Sequence, residues 1–171
     1  MRNILTTFFT LALVCGSAFA QSDFKKPQKS GYFFVAPGGL SVNQDSLSQW
    51  SFQIGGGFEG FTYRGLGLWV DGGGLGVGST GSARRWTGMI STGAIYNFQR
   101  SAEQKICPFI AAGFTAIPEF DSAGAGYNVG GGVNYWFARR FGLKMDFRFH
   151  SRPGKLRTYD DVQGLIGIAV R

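Results

Sequence analysis

Residues 127–137 read YNVGGGVNYWF, and residues 141–150 read FGLKMDFRFH. Both alternate with a period of two. Tyr127, Val129, Val133, Tyr135 and Phe137 share one face of the first stretch, with Asn128, Asn134 and glycines on the other. In the second, Leu143, Met145, Phe147 and Phe149 fall together, and Lys144, Asp146, Arg148 and His150 fall opposite. Successive side chains of an extended chain point to opposite sides, so the spacing predicts two strands, each with one apolar and one polar face. Only Ala138-Arg139-Arg140 separates Phe137 from Phe141, which suits a hairpin. That turn sets Asn134 against Lys144, Gly132 against Asp146, Gly130 against Arg148 and Asn128 against His150. Glycines then face the long charged side chains and leave room for them.

The same alternation recurs outward from this hairpin. Val162, Ile166, Ile168 and Val170 line up in the last segment, and eight segments are predicted in all: 31–40, 50–62, 65–77, 87–99, 106–117, 125–137, 141–152 and 161–171. Most are about 10–13 residues, longer than the usual ~5–6, and close to the ~9–11 that a tilted strand needs to cross a bilayer. Turn signals such as Asn43-Gln44-Asp45, Arg64-Gly65 and Pro153-Gly154 separate them. Composition agrees. Gly makes up 28 of 171 residues and charged residues only 16%, while Pro numbers 5. So much glycine disfavours helices, the lack of a three-residue period excludes collagen, and 44% hydrophobic content argues against disorder.

Residues 1–20 are predicted to be a cleavable signal peptide: Arg2, an uncharged apolar run from Ile4 to Val14, and Ala18-Phe19-Ala20 as the cleavage site. Its removal leaves 151 residues and, losing only Arg2, lowers the formal charge from +7 to +6. Residues 21–30 read as a polar periplasmic lead-in and 31–171 as a single domain. Cys107 is then the one remaining cysteine, so no internal disulfide forms. The scattered positive charge forms no nucleic-acid stripe.

Eight long antiparallel strands fit either a soluble barrel or a membrane barrel, and periodicity alone is the same for both. In a soluble, lipocalin-like barrel, Leu143, Met145, Phe147, Phe149 and Ile166 would line an apolar ligand pocket. Aromatic placement favours the membrane form. Tyr32-Phe33-Phe34, Phe61, Tyr63, Tyr96, Phe98 and Tyr135-Trp136-Phe137 gather at one rim, and Trp50, Trp86, Tyr127, Phe147, Phe149 and Tyr159 lie toward the other. Two aromatic belts mark bilayer interfaces. The connections 2–3, 4–5 and 6–7 are expected to be short and 1–2, 3–4 and 7–8 mostly longer. The fold expected is an all-β, eight-stranded, antiparallel up-and-down transmembrane β-barrel with both termini periplasmic.

With its leader, Gly-rich alternating strands, Gly131-Gly132-Val133-Asn134-Tyr135-Trp136-Phe137 and Gly142-Leu143-Lys144-Met145-Asp146-Phe147-Arg148, the chain resembles the bacterial outer-membrane β-barrel domain family. These are small eight-stranded barrels similar to the OmpA membrane domain and to OmpX. The likeness spans the mature chain, which departs from it by ending Ala169-Val170-Arg171 where such chains commonly end in an aromatic. The resemblance implies a cell outer-membrane location and a structural or surface-interaction role without a wide pore. It also implies outer-membrane lipid, lipopolysaccharide and the barrel assembly machinery as partners, and a monomer that does not engage nucleic acid.

The site candidates follow from these faces. Glu59, Asp71, Lys144, Asp146, Arg148 and His150 are expected to form a polar network in the lumen, because buried charges need partners. Arg84, Arg85, Arg152, Lys155 and Arg157 are candidate loop cations for lipopolysaccharide phosphates. No cofactor, metal or enzymatic activity is expected. Gly55-Gly56-Gly57 and Gly72-Gly73-Gly74 open no helix, so they are not phosphate loops. His150 is the sole histidine, and neighbouring Ser151 lies on the opposite face. Lipid A deacylases, which share this barrel, have their His and Ser separated by one intervening position and so on one face, which makes a deacylase the weaker alternative. Cys107 is expected to be a packed apolar residue.

Overall fold

The structure is a computed structural model that describes residues 28–42, 48–63, 65–78, 85–99, 104–117, 124–153 and 158–171. The predicted signal peptide, residues 1–20, lies outside them. Eight strands run β1 (Gln28–Val42), β2 (Ser48–Tyr63), β3 (Leu66–Gly78), β4 (Arg85–Asn97), β5 (Ile106–Ala116), β6 (Ala125–Trp136), β7 (Phe141–Pro153) and β8 (Thr158–Val170). Each pairs antiparallel with the next, and β8 pairs antiparallel with β1 to close an eight-stranded barrel. Closure satisfies every strand edge, which a bilayer demands because hydrocarbon offers no hydrogen bonds.

The β6–β7 register is the one the spacing predicts: Asn134↔Lys144, Gly132↔Asp146, Gly130↔Arg148 and Asn128↔His150. A Cβ on Gly130 would come within 2.7 Å of the Arg148 Cγ, and one on Gly57 within 2.6 Å of the Tyr32 Cζ and 2.7 Å of the Asp71 Cβ. Those glycines are the space the large side chains occupy. The tightest turn, 64–65, joins β2 and β3 with Gly65 at φ +85°, a conformation that costs glycine little.

Two expectations about the ends are corrected. β1 already begins at Gln28, so the predicted lead-in is shorter than 21–30. β8 begins at Thr158, where the polar run Thr158–Asp161 pairs with Pro153–His150. Polar side chains near a rim thus join the ladder instead of ending it. The far connections, 43–47, 79–84, 117–124 and 154–157, hold 5, 6, 8 and 4 residues against 2, 8 and 4 at the rim bearing the termini, 64–65, 98–105 and 137–140, so the expected contrast is slight and the 98–105 connection breaks it.

The polarity is inside out. Phe33 is 77% exposed and Phe147 61%, and Phe58, Leu68, Ile90, Phe114, Val129, Met145 and Ile166 also stand outward. Glu59, Asp71, Lys144, Asp146 and Arg148 are buried. Such a continuous apolar exterior exceeds what a water-facing monomer tolerates. The lipocalin-like alternative fails here, because Met145, Phe147 and Ile166 of its supposed pocket are on the outer wall. The two-belt picture is also amended. Tyr32, Phe34 and Trp136 point inward and pack with Ala36, Cys107, Leu165 and Ala169. Phe147 sits at mid-strand, opposite Gly131 and Gly164. A ring near the rim has both a lipid and a lumen to fill, and strand parity selects between them.

Candidate functional site

The lumen gathers the polar side chains. β7 supplies Lys144, Asp146, Arg148, His150 and Arg152 from one face, and β2 and β3 bring Glu59 and Asp71 across from the opposite wall. Lys144 Nζ pairs with Glu59 Oε1 and lies 4.7 Å from the Tyr32 ring centre and 4.0 Å from that of Phe109. Arg148 bridges two carboxylates. Its Nη1 donates to Asp71 Oδ2 at 2.6 Å, and its Nε and Nη2 reach Asp146 Oδ2 at 2.7 and 2.6 Å. The guanidinium is stacked on Trp69, 4.1 Å from the ring, and the Tyr32 hydroxyl donates to Asp71 Oδ2 at 3.1 Å. Each buried charge in this group has an opposite charge, an aromatic face or both, which is what offsets its lost hydration.

Toward the far rim a neutral group of side chains comes next. Thr115 Oγ1 accepts from Asn128 Nδ2 at 2.8 Å and lies 3.0 Å from both Ser91 Oγ and His150 Nδ1. Beyond it, Asp161 accepts from Ser51 Oγ at 2.8 Å and from Gln163 Nε2 at 2.6 Å. An apolar cluster of Leu40, Leu75, Val77, Met89 and Ile117 fills the facing side of the far end, and Trp69, Ile95, Phe109 and Ala111 fill the wall nearer the termini.

All six predicted lumen residues are therefore buried inside the barrel, five in ion pairs and His150 in the hydroxyl group around Thr115. Trp69, Phe109, Thr115 and Asp161 were missed. Parity carried a usable signal for Trp69: Leu66, Leu68 and Val70 form an apolar face, leaving Trp69 on the side of Asp71. The loop-cation set divides differently. Arg84, Lys155 and Arg157 lie outside the described residues, and Arg85 opens β4. Arg152 is no loop cation: it is buried on β7, at the last position of the predicted segment 141–152, where the strand continues to Pro153 and parity turns it inward with His150. Ser151, itself buried, donates to Asp160 Oδ1 at 2.7 Å, so it and His150 serve separate bonds. Cys107 is fully buried, its Sγ donating to the Gln104 carbonyl at 3.4 Å.

No protein-family model matches the sequence, and no curated protein does. Solved structures do match. Neisserial surface protein A aligns with a TM-score of 0.63 at 17% identity, over 85% of this chain and 99% of that one. The N-terminal β-barrel domain of Pseudomonas aeruginosa OprF gives 0.55 at 18% identity, over 85% and 98%. This is the fold of the small eight-stranded outer-membrane barrels. The outer membrane protein OprG of Pseudomonas aeruginosa has it too, with a TM-score of 0.52 at 10% identity over 84% and 94%. The apolar wall and this fold together put the chain in the bacterial outer membrane.

Proposed function

We propose that the protein is a closed-lumen outer-membrane barrel with a structural or surface-interaction role, neither a wide aqueous pore nor an enzyme. The observation that carries this reading is the filled lumen: Lys144–Glu59 and Asp71–Arg148–Asp146 span it, between clusters of buried apolar side chains. Eight strands enclose only enough space for such packing. The separation of His150 from Ser151 argues against a deacylase. Its proposed partners are outer-membrane lipid and lipopolysaccharide, with the barrel assembly machinery inserting it as a monomer. Planar-bilayer recording on the refolded mature chain tests the closed lumen. A flat baseline is expected, and a steady open-state conductance at low voltage would overturn it.

A further inference from the structure

The chain's positive charge is distributed unevenly between the two rims. The three connections at the rim bearing the termini, with the residue after β8, carry Arg64, Arg100, Lys105, Arg139, Arg140 and Arg171 against a single acid, Glu103. The four far connections carry Arg84, Lys155 and Arg157 against Asp45, Glu119 and Asp121, which cancel. The cationic rim also holds a cavity. A pocket of about 510 Å³ opens there, lined by Lys105, Arg139 and Arg171 together with Gln104, Trp136 and Phe137. Arg171 is held in place: its guanidinium lies 3.8 Å from the Trp136 ring, and its backbone N–H donates to the Arg140 carbonyl at 2.9 Å. Among the described residues none of these three cations pairs with a carboxylate.

We propose that this pocket binds a phosphate group, and that its source is the headgroup of an anionic phospholipid. Three cations lining one pocket, two of them forked guanidiniums, suit phosphate oxygens. The surroundings favour a lipid. Phe137 lines the pocket and is exposed, as are Phe141, Tyr135 and Ile106 on the adjoining strands, so a phosphate in the pocket sets its acyl chains against an apolar wall. The inference rests on the barrel standing in a membrane, and folding is therefore scored first, by heat-modifiable gel mobility.

The experiment uses the refolded mature chain in phosphatidylcholine nanodiscs doped with phosphatidylglycerol, released and counted for retained lipid by native mass spectrometry. Wild type should retain phosphatidylglycerol over phosphatidylcholine. The triple variant Lys105→Gln/Arg139→Gln/Arg171→Gln should lose about a hundredfold in affinity, at about fivefold per cation. Removing the far cations by Arg84→Gln/Lys155→Gln/Arg157→Gln should leave retention unchanged. Glycerol 3-phosphate as competitor separates the sources: displacement shows that the pocket takes phosphate from any source, and its failure with phosphatidylglycerol still bound assigns the site to the lipid headgroup. A folded triple variant that retains phosphatidylglycerol like wild type, or a wild type indifferent to headgroup charge, would overturn the proposal.

Discussion

Replacing Arg148 with Leu tests the lumen network where it is most concentrated. Arg148 bonds both Asp71 and Asp146, at 2.6–2.7 Å, and all three side chains are at least 95% buried. Leu keeps the apolar stem and removes the charge, leaving two carboxylates close together without a counterion. Breaking a single buried pair costs about 3–5 kcal/mol. Stranding two carboxylates while losing the stack on Trp69 places Arg148→Leu at the upper end, about 5 kcal/mol. The triple variant Arg148→Leu/Asp71→Asn/Asp146→Asn leaves no net charge and should recover most of that loss. Urea titration of the chain refolded into phosphatidylcholine vesicles, read by gel mobility and tryptophan emission, measures both. If the single variant costs less than about 1 kcal/mol, as for an exposed pair, the charges are hydrated and the lumen is wet. If the triple variant is no more stable than the single one, stranded carboxylates were not the cause.

Three further outcomes follow from the wall and the packing. Phe147→Arg puts a charge at mid-strand on the lipid face and should cost about 2–4 kcal/mol in vesicles; a neutral result would mean that this face meets water. Gly57→Ala drives a methyl into Tyr32 and Asp71 and should destabilise by about 1–3 kcal/mol in the same titration. Cys107 should resist a maleimide in the folded barrel and react fully in urea, because its side chain is completely buried; fast labelling of the folded form would contradict the packing around Trp136.

The β6–β7 hairpin was legible because its turn is short and its faces contrast sharply, so one residue of slip would have put Lys144 and Arg148 into lipid. The candidate site was legible only in part. Charged residues on a strand's polar face identify what lies inside, but not which of them meet. Lys144 reaches Glu59 across 85 positions of sequence, and that meeting depends on the closure between β1 and β8, which no local pattern encodes. Rim residues were least legible. Arg152 looked like a loop cation and Tyr32 like a belt residue because, near an end, polar and aromatic side chains suit water, interface and lumen alike.

The ties across the lumen have a consequence for how the barrel is made. Glu59–Lys144, Asp71–Arg148 and Ser51–Asp161 each join the first half of the chain to the second, and none exists until the sheet has curled shut. A sheet laid flat into hydrocarbon, hairpin after hairpin, would expose Lys144 and Asp71 to lipid with no counterion and leave Arg148 with Asp146 alone, at several kcal/mol for each stranded charge. The charged side must therefore stay wet until its partners arrive. Curling and crossing become one event, and the ion pairs act as a latch that snaps home only when the last strand finds the first.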